Sequence, residues 1–128
     1  MIAKAEMMFL LGKACPSFKS VRQRSARYWK DEDESTVRAV LVDLGKHLIN
    51  LLERGDVASL PAVFATIERC HMEGDPFVRE SAAPALLEIL HAEQFHERTT
   101  PEQFRPYLGE ESSYAWGAHD PTWKEPRE

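Results

Sequence analysis

Apolar residues recur at steps of three and four through residues 37–52: Val37, Val40, Leu41, Leu44, Leu48, Leu51 and Leu52. That spacing puts them on one side of a 3.6-residue helix and predicts a stripe that must be buried. The other face carries Arg38, Asp43, Lys46, Asn50 and Glu53, which can stay hydrated. Ser35 or Thr36 stands where an N-cap belongs, and Gly55 after Arg54 supplies a left-handed stop. This helix is the expected organiser of the fold, the central member of a run of three.

Shorter versions of the same pattern lie on both sides. Ile2, Met7, Phe9, Leu10 and Leu11 predict a first helix over residues 2–13, ended by Pro16. Ser17 then caps a second, with Phe18, Val21, Ser25 and Tyr28 on one side and Lys19, Arg22, Arg24, Arg27 and Lys30 crowding the rest. Beyond Gly55, Leu60, Val63, Phe64 and Ile67 repeat at three and four up to Gly74, with Pro61 confined to the first turn. Asp75 and Pro76 are the N-cap and first position of the next helix, which carries Val78, Ala82, Ala85, Leu86 and Ile89 to about Phe95. Pro84 lies far enough inside that helix to kink it. Connections of a few residues make these three helices antiparallel neighbours.

Past Glu97 the pattern changes. Thr99 or Thr100 caps a short helix that starts at Pro101, and proline and glycine then break the chain into an irregular aromatic segment. Residues 117–128 are expected to be an extended or frayed tail. The fold class is therefore all-α: a single domain over residues 1–128, a compact bundle of about five to six helices. Gly74-Asp75-Pro76 gives it a HEAT-like hairpin, but one hairpin is no solenoid, and the sequence shows no self-similarity at a repeat period.

Composition narrows the partners. At 128 residues the chain can build a core without a disulfide or metal staple. A net charge of -5 argues against nucleic acid, whose phosphates are met by clustered Lys and Arg. The basic face of the second helix is followed at once by four acids at residues 31–34, so local ion pairs cancel its field. The same charge suits a basic protein partner. The apolar run at residues 7–11 is far short of the roughly 20 residues a membrane span needs, and it lacks the features of a signal peptide. No membrane association and a cytoplasmic location are expected. Cys15 and Cys70, far apart and outside any metal-ligand spacing, read as buried free thiols.

The search for chemistry yields one constellation. Glu68-x-x-His71 and Glu88-x-x-His91 are two Glu-x-x-His pairs on consecutive helices, the kind of donor set that builds di-iron sites in ferritin-like bundles. A hairpin turning near Gly74 offsets the two pairs by roughly 15 Å at 1.5 Å per residue, too far for one shared centre. Glu68 and Glu88 are then expected to be solvated. A metal- or small-ligand-binding bundle is the alternative function. With no Gly-x-Ser-x-Gly elbow, thiol-enzyme motif or glycine-rich phosphate loop, neither an enzyme nor a cofactor is expected.

Recognition is the leading reading: a protein-interaction module with Tyr107, Glu110, Glu111, Tyr114 and Trp116 as its contact residues. Aromatics in an irregular segment make natural anchors, and carboxylates can meet a basic partner. Against it, the same aromatics can serve as a lid on the core. A homodimer through a spare apolar side is a third expectation.

Ala14-Cys15-Pro16-Ser17-Phe18, Leu51-Leu52-Glu53-Arg54-Gly55-Asp56, Pro61-Ala62-Val63-Phe64, Glu73-Gly74-Asp75-Pro76 and Pro106-Tyr107-Leu108-Gly109 together carry a resemblance. The chain resembles a family of small all-helical bacterial proteins, a domain of unknown function whose members end in Pro-Tyr-Leu-Gly-Pro-Glu-Ser and a tryptophan-containing helix. In size and architecture that family is similar to the immunity proteins that bind and neutralise bacterial toxins. The resemblance implies the helical fold and, by analogy, an immunity-like role. Glu110 replaces the usual proline here, and residues 117–121 are expected to interrupt the closing helix.

Overall fold

The computed structural model describes residues 1–18 and 34–118, and the regular elements among them are all helical. Helix α1 is Lys4–Ala14, α2 Glu34–Glu53, α3 Leu60–Glu73, α4 Ala83–His91 and α5 Glu110–Ala118. A π-helical turn, Val78–Ala82, leads directly into α4, and 3-10 turns at Glu93–Phe95 and Pro101–Tyr107 connect α4 to α5. The all-α fold read from periodicity is the fold observed. The second helix expected after Ser17 lies outside the described residues from position 19 onward.

The apolar stripe of α2 is buried along its whole length, from Val37 to Leu52. The helix is already running at Glu34, so Ser35 and Thr36 lie inside it and do not precede it as caps. Its far end is a Schellman stop: the Gly55 N–H donates to Leu52 O at 3.0 Å and the Asp56 N–H to Leu51 O at 2.9 Å. Gly55 has φ 73°, a conformation that glycine adopts without penalty.

The organising role expected of α2 belongs to α4. Helix α2 lies chiefly along α4 and approaches its chain neighbour α3 little, whereas α4 touches α2, α3, α5 and both 3-10 turns. Ala83, Leu86, Leu87 and Leu90 of α4 have no exposed surface. The physical reason is composition: α4 is short and apolar on most sides, so it is covered from several directions, while α2 keeps one wet face. The α2–α4 approach is close. A Cβ on Gly45 would stand 2.5 Å from Ile89 Cγ2, so a side chain there is incompatible with this packing.

Asp75 caps as its sequence position suggests, its Oδ1 accepting the Val78 N–H at 2.9 Å. Pro84 is then accommodated upstream. In a regular helix its ring would meet the Glu80 carbonyl, and it has no N–H to offer. The backbone widens instead: the Ala83 N–H donates to Val78 O, five residues back, which makes the turn before the proline π-helical. Helix α4 stops at His91 because Ala92 is extended at φ -75° and ψ 110°, so Phe95 falls in a separate 3-10 turn. At the other end of the chain Ile2 belongs to no helix. Its N–H donates to Glu73 O and its carbonyl accepts the Asp75 N–H, both at 2.8 Å, pinning the chain start to the junction after α3.

Candidate functional site

The five residues singled out at the C-terminal end divide into an inner and an outer set. Helix α5 turns Ser112 and Trp116, four residues apart, inward, and both are fully buried. Trp116 meets the His91 ring edge-on at 4.9 Å. Its burial removes it from the candidate contact surface: the indole fills the core because α5 lies against α3 and α4. Phe104 is likewise buried, 5.5 Å from Phe64, and half-buried Tyr107 stacks on the same Phe64 ring at 5.7 Å. On the outer side Glu110 and Glu111 are exposed, and Tyr114 is 59% exposed. Gly117 and Ala118, expected to be extended, are helical, and residues 119–128 lie outside the described residues.

Two carboxylates fasten this segment to the bundle. Glu68 of α3 accepts the Glu111 N–H at 2.8 Å and the Ser112 N–H at 2.9 Å, supplying partners for two of the unpaired amides at the start of α5. Glu68 is therefore half-buried and engaged, not solvated as the sequence suggested; Glu88 is exposed. Burial raises the Glu68 pKa, but the two amides, the Ser112 hydroxyl and His71 outweigh it, and the carboxyl lies below its ordinary value. Gly109 makes the contact sterically feasible, because a Cβ there would be 2.4 Å from the Glu68 carboxyl carbon. The glycine of the Pro-Tyr-Leu-Gly stretch thus has a defined task.

Glu53, the last residue of α2, does the same for the preceding loop. It accepts the N–H groups of Glu97, Arg98 and Thr99 at 2.9, 3.0 and 3.1 Å, together with the Thr99 hydroxyl. The hydroxyl, followed by the amides, lowers its pKa to about 2. Sequence reasoning missed both tethers. Each joins residues more than forty positions apart, and no local motif marks either glutamate.

The Glu-x-x-His pairs are scattered in environment. Glu68 faces amides, Glu88 faces solvent, His71 is buried, and His91 abuts Trp116. Among the described residues no group of three or more His, Cys, Asp or Glu is placed to hold a metal ion. Cys15 and Cys70 are unbridged and buried, and burial pushes the Cys70 thiol up to about 11, away from thiolate chemistry. His47 Nε2 lies 2.8 Å from Ser17 Oγ, with the Phe18 ring 6.0 Å away, linking the end of α1 to α2. His96 Nδ1 lies 2.8 Å from Thr99 Oγ1 and its Nε2 3.0 Å from Leu90 O, a fastening role within the same loop. No helix among the described residues is long and apolar enough to cross a membrane.

Residues 8–124 match the model of a family described as a domain of unknown function (DUF7674), and the chain belongs to that family. No curated protein and no solved structure matches it.

Proposed function

For this member of the family, we propose a protein-interaction module whose contact face is the outer side of the C-terminal segment: Tyr107, Glu110, Glu111 and Tyr114. The observation that supports this reading is Tyr114, a large aromatic 59% exposed one turn after the exposed Glu110 and Glu111, on a helix whose inner side is fixed by Trp116 and the Glu68 tether. An exposed aromatic on a rigid support is an affinity anchor, and surrounding carboxylates select a partner with a basic surface. Binding and neutralising another protein, in the manner of an immunity protein, is the form of interaction we favour. We place it in the cytoplasm, where free thiols such as Cys15 and Cys70 persist.

The test is capture of the partner from a lysate of the source organism, followed by calorimetry with the purified partner. Wild-type protein should retain a basic protein in a salt-sensitive manner, and Tyr114→Ala should weaken that complex at least tenfold while remaining folded. Equal binding by wild type and Tyr114→Ala would sink the assigned face. Light scattering on the isolated chain separates a hetero-partner from a second copy.

A further inference from the structure

His71 stands apart among the buried side chains. It is 9% exposed on α3, and its Nε2 has no hydrogen-bond partner. One helical turn before it is Glu68, whose two oxygens hold the Glu111 and Ser112 amides of α5. Ser112 is itself fully buried, with a hydroxyl that lies near enough to the Glu68 carboxylate to lower its pKa but outside good hydrogen-bond geometry. A titratable ring and a buried hydroxyl therefore gather around the carboxylate that tethers α5. Buried polar groups of this kind respond strongly to a change of charge, because little solvent is present to absorb it.

We propose that His71 is a proton-operated latch on α5: neutral, it lies buried beside the Glu68 tether; protonated, it draws the Glu68 carboxylate away from the Glu111 and Ser112 amides and loosens the helix. The elements packed on α3 carry Lys4, Glu6 and Lys13 on α1, Arg79 and Glu80 in the π turn, Glu88 and His91 on α4, Glu102 and Arg105 in the 3-10 turn, and Glu110 and Glu111 on α5. Of the charged groups, Glu68 is the one that bears on His71. Burial lowers the His71 pKa from 6.5, and the attraction of Glu68 opposes this without reversing it. A histidine whose folded pKa lies below its unfolded value contributes stability that is complete above the unfolded pKa and falls with pH below it. The latch is thus closed at neutral pH and opens as pH falls below 6.5. It does not depend on the partner assigned above, although α5 carries Tyr114 and would present it in a pH-linked way.

Amide NMR of the full chain from about pH 8 to about pH 5 reads the latch directly. The His71 ring and the Glu111 and Ser112 amides should share one transition with a midpoint below 6.5. Exchange protection at those two amides, normalised for intrinsic rates, should fall by up to about tenfold per pH unit, the response to one proton. His71→Gln should abolish the transition with α5 still docked at neutral pH, and His71→Leu provides the same measurement if Gln perturbs the fold. Glu111 and Ser112 amides that ignore the His71 titration, or a transition that persists in both variants, would overturn the proposal.

Discussion

Gly45 and Ile89 decide how near two helices can lie. Adding a methyl at Gly45 brings it 2.5 Å from Ile89 Cγ2 and 2.9 Å from Ile89 Cβ, and the latter is anchored to the backbone, so α2 and α4 must part. Overpacking of this kind costs about 1–3 kcal/mol, and the better helix propensity of alanine returns roughly 1 kcal/mol at most. Gly45→Ala is expected to lose about 1–2 kcal/mol in urea denaturation on that balance. Adding Ile89→Ala to the same chain should give a total well short of the sum of the two single changes, because the clash disappears. A second pair contrasts inner with outer aromatics. Trp116→Ala empties a core position and should cost about 3–5 kcal/mol, while Tyr114→Ala should stay within about 0.5 kcal/mol of wild type. Similar losses for both would mean that Tyr114 is part of the lid.

At the scale of elements, α5 owes its seat to a residue on another helix. Gly109→Ala places a methyl 2.4 Å from the Glu68 carboxyl carbon, so the tether must break or the preceding 3-10 turn must shift. Hydrogen exchange should show protection lost first at the Glu111 and Ser112 amides, with α2 much less affected, and a global loss of roughly 1–3 kcal/mol. The kink expected from Pro84 was legible as a disturbance but not in its form. Chain chemistry removes one donor and leaves one carbonyl without its usual partner, but it does not say that the chain responds by widening the Val78–Ala82 turn. The end of α4 was overestimated for a related reason. Ala92 is a good helix former, yet its backbone is extended where the chain turns into a loop fastened by Glu53 and His96.

For the whole molecule, the lowered carboxyls and His71 act in one direction. The carboxyls of Glu53, Glu68 and Glu73 are lowered in the fold, to about 2 for Glu53. A carboxylate with a depressed folded pKa contributes stability above its unfolded value of 4.5, and that contribution is lost as pH falls toward the folded value. His71, also lowered, adds an earlier loss that begins below 6.5. Thermal midpoints followed by circular dichroism should therefore be flat between about pH 7 and about pH 8 and fall in two stages on acidification. Glu53→Gln should reduce the lower stage, leaving the shares of Glu68 and Glu73, and should leave the upper one intact, whereas His71→Gln should remove the upper stage and leave the lower. A stability maximum on the acid side would contradict both assignments.

What the sequence alone determined was local. The buried stripe of α2, the start of α3 at Leu60–Pro61, the Schellman stop at Gly55 and the Asp75 cap all depend on residues within a turn or two of one another, and each stands where its pattern places it. The helical class follows from them. The candidate surface was only half legible: residue type marked five residues, but which of those on α5 face outward depends on the rotation of that helix, and that is fixed by Glu68 some forty positions earlier. Tertiary structure decided the rest: α4 as the covered centre, Ile2 pinned at Gly74, and Tyr114 turned out while Trp116 is turned in. These are matters of which distant groups meet. A chain's periodicity says that a face must be buried, and only the assembled neighbours say against what.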